Sequence, residues 1–110
     1  MRRFEVEECD LILLLLATYS PSQIALPALQ GTHPPILVWN IQGPRAVSSD
    51  FTRGRMIANY GVHGTLDLCN LLLRHGVSFE YVTSHLDDAD GLKDLADFSA
   101  AASRPRSWPV

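Results

Sequence analysis

Apolar residues run without interruption from Leu11 to Ala17, and polar residues bound this run on both sides. A continuous apolar run without alternation indicates a strand covered on both faces, as in a parallel sheet. The run is also far shorter than the roughly 20 apolar residues that a membrane-spanning helix needs. We therefore predict a buried first strand here.

Residues that are typical of a helix start follow the apolar run. The expected N-cap, first helical residue and capping-box residue are Ser20, Pro21 and Gln23. Tyr19 and Ile24 have the spacing of a hydrophobic staple across that helix start. Pro27 predicts that the helix is short or kinked, because proline removes a backbone donor.

A second strand is predicted after the Pro34-Pro35 pair, with Ile36 to Trp39 as its body. From Gly43 to Ala58 no hydrophobic period is evident, and Gly, Pro, Ser, Arg and Asp cluster there. We predict a long loop, with room for one helical turn. Loops longer than about 12–15 residues in compact domains are usually functional or disordered.

The helical pattern is clearest from Thr65 to His75. Its predicted inward face consists of Leu66, Cys69, Leu72 and Leu73, widened by Leu68 and Leu71. Asp67 in the first turn and the basic residues of the last turn, Arg74 and His75, match the helix dipole. Gly76 is the expected C-terminal glycine.

A third strand is predicted in Val77 to His85, followed by a last helix in "DDADGLKDLADFSAAA". Asp88 or Asp90 is expected to cap that helix, since short acidic side chains accept from free amides at a helix start. The residues expected to face inward are Leu92, Leu95, Ala96 and Phe98.

The element order is thus β-α-β-loop-α-β-α, which predicts an α/β fold with a parallel sheet. We expect a partial three-layer Rossmann/flavodoxin-like domain over residues 1–103, followed by an irregular tail at 104–110 that contains two prolines. Three strands leave apolar edges bare, and such edges favour association. We therefore expect this chain to be a fragment of a larger protein, and we expect it to be oligomeric or poorly soluble.

The composition is that of a soluble globular protein, with 46% hydrophobic and 19% charged residues. A net charge of −3 argues against a nucleic-acid partner, and nothing favours a membrane surface. The acidic residues after Arg2 and Arg3 argue against a signal peptide. The two cysteines, Cys9 and Cys69, lie far apart and form no Cys-x-x-Cys motif. We therefore expect both to be reduced and buried, in a cytoplasmic protein.

Catalytic motifs within the chain are weak. The four histidines show no paired helical spacing, so no metal site is predicted. Ser20 and Cys69 are explained by capping and by helix packing rather than as nucleophiles. Asp87, Asp88 and Asp90 are interpreted as a solvated helix start.

His63, flanked by Gly61 and Gly64, is the exception. Two interpretations stay open: the histidine lines a ligand pocket beside free helix-start amides, or it only caps its own loop. A phosphate loop is not favoured, because the Gly-x-x-Gly spacing lacks a third glycine and follows no strand directly.

Three blocks of the chain together resemble the amino-terminal region of the L-arabinose/L-fucose isomerase family. They are "LILLLLATYSPSQ", "PPILVWNIQ" and "NYGVHGTLDLCNLLLRHGVSFEYVTSHLDD". The likeness lies in a Thr-aromatic-Ser-Pro turn after an aliphatic strand, a strand ending near Gln42, and an Asn-x-x-x-His-Gly segment from Asn59 to Gly64. It spans roughly Asp10 to Asp88, most of this chain.

This resemblance implies an aldose–ketose isomerase that uses Mn²⁺ or a similar divalent metal and transfers a proton through an enediol. The family's metal-binding glutamates and histidines lie in later sequence and have no counterpart here, so the chain alone should be inactive, with neither catalytic nor metal-binding residues. The resemblance implies that this region forms part of the sugar pocket at a subunit boundary, through Gln42, Tyr60, His63 and Gly64.

Tyr60 stands where arabinose isomerases tend to have glutamine, which leaves the identity of the sugar open. The implied partners are a sugar substrate and either further copies of the chain or a complementing carboxyl-terminal part. The alternative that we retain is a non-catalytic α/β module for binding or oligomerisation.

Overall fold

The fold is mixed α/β, built on a three-stranded parallel sheet in the order β1-β2-β3. A computed structural model describes residues 7–103. The strands are β1 (Ile12–Leu15), β2 (Ile36–Gln42) and β3 (Glu80–His85). The predicted fold class and the parallel three-stranded sheet are confirmed, whereas the tail predicted at 104–110 lies outside the described residues.

The helices lie between and after the strands. A 3-10 turn (Ser22–Ile24) is followed by α1 (Leu26–Leu29), α2 (Arg53–Ala58), α3 (Gly61–Arg74) and α4 (Ala89–Ala102). Pro27 lies at the start of α1, which is only four residues long, as its position predicted.

The strand register assigns side chains to two faces of the sheet. Ile12 pairs with Ile36, and Trp39 pairs with Val82. Because side chains alternate along a strand, Ile36 and Val38 share one face while Leu37 and Trp39 share the other. We name these the α3 face and the α4 face after the helix that packs on each.

The hydrophobic core lies between the α3 face and α3. It comprises Ile12, Leu29, Ile36, Val38, Leu68 and Leu72. Helix α4 packs on the other face at β3, where Gly91 lies against the side chain of Ser84. Helices on both faces give the three layers that the element order predicted.

Helix α3 ends as its sequence predicted. The Gly76 amide donates to the Leu73 carbonyl at 3.2 Å, and the Val77 amide donates to the Leu72 carbonyl at 3.0 Å. Gly76 has a positive φ of 67°. This pair of bonds satisfies two of the last helical carbonyls, and only a residue such as glycine adopts this φ without strain.

The prediction for the first helix start was wrong. The 3-10 turn begins at Ser22 without a side-chain cap, so Ser20 is not an N-cap. Tyr19 and Ile24 are exposed and form no staple. The physical reason is that the backbone of Tyr19 and Ser20 packs against Gly64 of α3, which holds this segment as a loop. Ser22 is buried instead, and its hydroxyl donates to the Asp67 carboxylate.

The predicted face of α3 was also wrong in part. The helix begins at Gly61 rather than Thr65, and Leu66 and Leu73 are 63% and 70% exposed. Its buried residues are Gly61, Gly64, Thr65, Leu68 and Leu72. Asp67 therefore lies in the second turn, where it pairs with Ser22 rather than with the helix dipole.

Helix α4 starts at the expected cap, since the Asp88 carboxylate accepts from the Asp90 amide at 3.2 Å. Of its predicted inward residues, Leu95 and Phe98 are half-buried, whereas Leu92 and Ala96 are exposed. Gly91, the one buried residue of α4, was not foreseen.

Strand β1 is not covered on both faces within residues 7–103, because Leu13 and Leu15 are 48% and 46% exposed on the α4 face. Cys9 and Cys69 are free but only half-buried, short of the predicted full burial. Partial burial raises the pKa of the Cys69 thiol.

Candidate functional site

The three parallel strands end at one edge of the sheet, which we call the carboxyl edge. It comprises the residues after β1 (16–20), the β2 end (42–45), the start of α3 (59–64) and the β3 end (85–88). Open α/β sheets bind ligands in the crevice outside the carboxyl ends of their strands. The residues of this edge are therefore the candidate site.

A single peptide group at the end of β2 is held from both sides. The Gln42 carbonyl lies 2.8 Å from Nδ1 of His85. Across the same peptide bond, the Gly43 amide donates to Oδ1 of Asn59 at 3.2 Å. A carbonyl oxygen can only accept, so Nδ1 of His85 carries the hydrogen. In the neutral ring, Nε2 is then left as an acceptor.

A polar layer lies directly below this peptide on the α3 face. Nδ2 of Asn40 donates to Oγ1 of Thr83 at 3.3 Å, joining β2 to β3. The Asn40 side chain is 8% exposed, and its Oδ1 has no hydrogen-bond partner within residues 7–103. Buried polar atoms are usually paired, so the unpaired Oδ1 of Asn40 is a departure from ordinary core packing.

An ion pair joins the two loops that leave β2 and β3. Nη2 of Arg45 lies 2.6 Å from Oδ1 of Asp87, and both side chains are largely exposed. The hydrogen bond and charge of Arg45 lower the pKa of Asp87, and Asp87 in turn raises the pKa of Arg45. A shallow depression of about 510 Å³ beside this pair is lined by Gly43, Pro44, Arg45, Ala46, Arg55 and Ala58.

The glycines beside His63 are explained by packing. A Cβ on Gly61 would lie 2.1 Å from the Leu16 carbonyl oxygen, and one on Gly64 would lie 2.8 Å from Cδ2 of Leu16. These glycines let the first turn of α3 approach the end of β1. They therefore position the helix and form no glycine loop around a ligand.

His63 lies on the opposite side of that first turn. Successive residues of an α-helix are rotated by about 100°, so a residue next to buried Gly64 and two from buried Gly61 points away from the sheet. His63 is exposed, and its ring packs edge-on against Tyr60, with 5.3 Å between ring centroids. The Tyr60 ring is half-buried, so the pair forms a small, partly exposed aromatic surface at the carboxyl edge.

The structure thus places all four proposed sugar-contacting residues at one edge but not in one cluster. Gln42 lies at the β2 end, Tyr60 and His63 lie on the outer side of the α3 start, and Gly64 is buried beneath it. His85 was missed in the sequence, and Asn59 was named only as the first residue of the Asn-x-x-x-His-Gly segment, without a role in the site. His85 could have been found, because it ends a predicted strand of the same parallel sheet.

No group of three or more His, Cys, Asp or Glu side chains that could hold a metal ion occurs within residues 7–103. Asp88 is used as a helix cap and Asp87 as the partner of Arg45. The described residues therefore do not fit a manganese site. None of the helices in this part of the chain is both long enough and apolar enough to span a bilayer.

Comparison with known protein families finds no family that matches this chain, and no curated protein matches it either.

Proposed function

We propose that this chain forms one wall of the sugar site of an aldose–ketose isomerase of the L-arabinose/L-fucose type. The observation that carries the proposal is the polar arrangement at the carboxyl edge, where Gln42, Asn59 and His85 meet around one peptide group. A parallel sheet that places such groups at its carboxyl edge has the usual layout of a small-molecule site.

The chemistry of this edge favours a neutral, hydroxyl-rich ligand. Most of its polar side chains are an amide, imidazole or phenol, groups that both donate and accept hydrogen bonds while neutral. Asp88, its one carboxylate outside an ion pair, accepts from the Asp90 amide as the cap of α4. The one ion pair, Arg45 with Asp87, is internally neutral. Sugars and polyols present hydroxyls that satisfy both donors and acceptors, whereas a phosphate or carboxylate would find only Arg55 beside the depression without a carboxylate partner in residues 7–103.

The proposal assigns the reaction itself to protein outside this chain. An isomerase of this type requires a divalent metal such as Mn²⁺, and the described residues do not supply its ligands. The exposed ring of His63 and the half-buried ring of Tyr60 beside it are suited to complete a site on another chain. The partners we propose are the sugar and either further copies or a complementing carboxyl-terminal part, in the cytoplasm, where free cysteines persist.

The test is an NMR titration of the ¹⁵N-labelled chain with L-arabinose and with L-fucose. We expect amide shifts at Gln42, Gly43, Asn59 and His85, and none at the opposite edge around Gly31 and His75. Ethylene glycol at matched hydroxyl concentration serves as the control for non-specific effects. Shifts that are absent, or that ethylene glycol reproduces, would contradict the proposal.

A turnover assay on the same protein tests whether the catalytic groups lie outside this chain. With Mn²⁺ present, the chain alone should convert neither L-arabinose nor L-fucose. Measurable conversion by the purified chain would show that the catalytic groups lie within it.

The second candidate is a non-catalytic association module, which the exposed leucines favour. Leu13 and Leu15 are exposed on β1, an edge strand of the sheet that residues 7–103 form, while Leu66 and Leu73 are exposed on the outer side of α3. Apolar sheet edges promote pairing with other chains. Sedimentation as an oligomer, with no sugar-induced amide shifts, would select this candidate over the first.

A further inference from the structure

We propose that His85 is a ligand-binding residue of the carboxyl edge, whose Nε2 accepts a hydrogen bond from a hydroxyl group of a neutral polyol. This inference rests on the proposed function, because it assigns a contact within the same sugar site. No motif in the sequence indicates His85, and its role follows from the position that the sheet imposes on its ring.

The tautomer of His85 is set by its hydrogen bond to the backbone. Nδ1 lies 2.8 Å from the Gln42 carbonyl oxygen, which has no hydrogen to donate. In the neutral ring, Nδ1 is therefore the protonated nitrogen and Nε2 carries the lone pair. Within residues 7–103, Nε2 has no hydrogen-bond partner of its own.

The ring is also held in place before any ligand arrives. His85 ends β3 and pairs in register with Gln42, so the sheet fixes its backbone. The peptide that accepts from it is held on its other side by Asn59, through the Gly43 amide. An acceptor that is already positioned loses little conformational freedom on binding, which improves affinity.

Neighbouring groups narrow the class of ligand. Oδ1 of Asn59 is used by Gly43, so the hydrogens on Nδ2 of Asn59 remain to donate. Of the charged side chains at this edge, Arg45 and Asp87 are paired with each other, and Asp88 is used as the cap of α4. An unprotonated imidazole nitrogen and an amide donor flanking one peptide favour a group that both donates and accepts. Hydroxyls do both, whereas a carboxylate or phosphate would leave the imidazole acceptor unpaired.

The experiment compares His85→Asn with the wild-type chain, using L-arabinose and L-fucose as probes. The amide nitrogen of the introduced asparagine would occupy the position of Nδ1 and keep a donor to Gln42, while the far ring nitrogen is lost. Because the variant lacks one hydrogen bond to a neutral group, we expect the dissociation constant to rise up to about tenfold. The midpoint of urea unfolding should stay close to the wild-type value.

His75→Asn is the matched control. His75 lies at the opposite end of α3, beside Pro35 and Ile36 at the amino edge of the sheet. The same substitution there should leave the dissociation constant unchanged. Equal weakening by both variants would mean that the effect is not local to the site and would overturn the inference.

An NMR measurement on the wild-type chain tests the inference even if the His85→Asn variant does not fold. Long-range ¹H–¹⁵N correlation distinguishes the two tautomers of a neutral histidine. We expect His85 to carry its hydrogen on Nδ1 and the Nε2 resonance to shift when sugar is added. The other tautomer, or an Nε2 resonance that does not respond to bound sugar, would overturn the inference.

The two proposals fail in different ways. If the wild-type chain binds neither sugar, the proposed function is wrong and this contact falls with it. If the wild-type chain binds sugar and His85→Asn binds it equally well, the sugar site stands and His85 is only a structural link between β2 and β3.

Discussion

Helices α3 and α4 have the same length, 14 residues each, yet they are buried to very different extents. Helix α3 buries residues along its whole length, from Gly61 to Leu72. Helix α4 buries only Gly91. The difference arises because α3 covers the central strand β2 and part of β1, whereas α4 lies on the edge strand β3, where the sheet offers less surface.

The comparison shows that position over the sheet, rather than helical propensity, decides what each helix contributes. Helix α3 closes the hydrophobic core and brings its first turn to the carboxyl edge. Helix α4 begins beside the same edge, through its Asp88 cap, but adds few core contacts. Four changes test this contrast, from the largest expected effect to the smallest.

Of the four changes, removing a core leucine from α3 should lower the free energy of unfolding most. Leu72 is fully buried, so Leu72→Ala should lower the free energy of unfolding by about 2–5 kcal/mol. Leu95→Ala in α4 should lower the free energy of unfolding by less than about 2 kcal/mol, because Leu95 is only half-buried and less buried apolar surface is lost. Urea denaturation measures both, and Leu73→Ala, at a 70% exposed site, is the control expected within about 0.5 kcal/mol of wild type. Equal losses at Leu72 and Leu95 would refute the contrast.

Filling the contact between α3 and β1 should have the next largest effect. In Gly61→Ala, the new Cβ would lie 2.1 Å from the Leu16 carbonyl oxygen, a backbone atom that cannot rotate away. We expect a loss of about 1–3 kcal/mol from overpacking. Gly54→Ala in α2 is the matched control, since its nearest neighbour would be 3.8 Å away, and it should be neutral or stabilising by up to about 1 kcal/mol. A stable Gly61→Ala variant would show that α3 can withdraw from β1.

The corresponding contact of α4 should be more tolerant. A Cβ on Gly91 would lie 2.3 Å from the Ser84 Cβ, but α4 sits on an edge strand and has more freedom to shift. We expect Gly91→Ala to cost about 1 kcal/mol, at the low end of the overpacking range. Adding Ser84→Gly should recover part of this loss, which a double-mutant cycle reports as a coupling energy. Purely additive losses would mean that the two residues do not compete for space.

The smallest effect concerns the ion pair in front of α4. Arg45 lowers the pKa of Asp87 below its ordinary value of 3.8. A carboxylate with a lowered folded-state pKa adds stability above its unfolded pKa and loses it as the pH falls through the folded value. This contribution should therefore be complete at neutral pH and disappear only under acid conditions, below about pH 4.

An NMR titration of the Asp87 carboxyl in the wild-type chain and in Arg45→Gln measures that effect. The variant should return the pKa of Asp87 toward its ordinary value, with little change in overall stability because the pair is exposed. Replacing Lys93, whose partner Asp97 lies within α4 itself, should leave the Asp87 titration unchanged. An Asp87 pKa that does not respond to Arg45→Gln would rule out the pair in solution.

Local chemistry explains what the sequence predicted correctly. The cap at Asp88, the glycine after α3 and the short α1 at Pro27 depend on hydrogen bonds and backbone angles within a few residues. Most of the order of strands and helices was equally accessible, because apolar runs and helical periods are local patterns. The exception is α2, a six-residue helix within the segment predicted as a long loop. Gln42 was placed correctly at the end of β2 for the same reason.

The tertiary structure alone decided which face of α3 turns inward. Leucines occupy most sides of that helix, so periodicity did not distinguish Leu68 and Leu72 from the exposed Leu66 and Leu73. Tertiary contacts select the orientation: Gly61 and Gly64 approach Leu16, and the Asp67 carboxylate accepts from Ser22. The same holds for the site: the bond from His85 to Gln42 joins residues 43 positions apart, and a hydrogen bond over that separation exists only once the parallel sheet aligns the ends of β2 and β3.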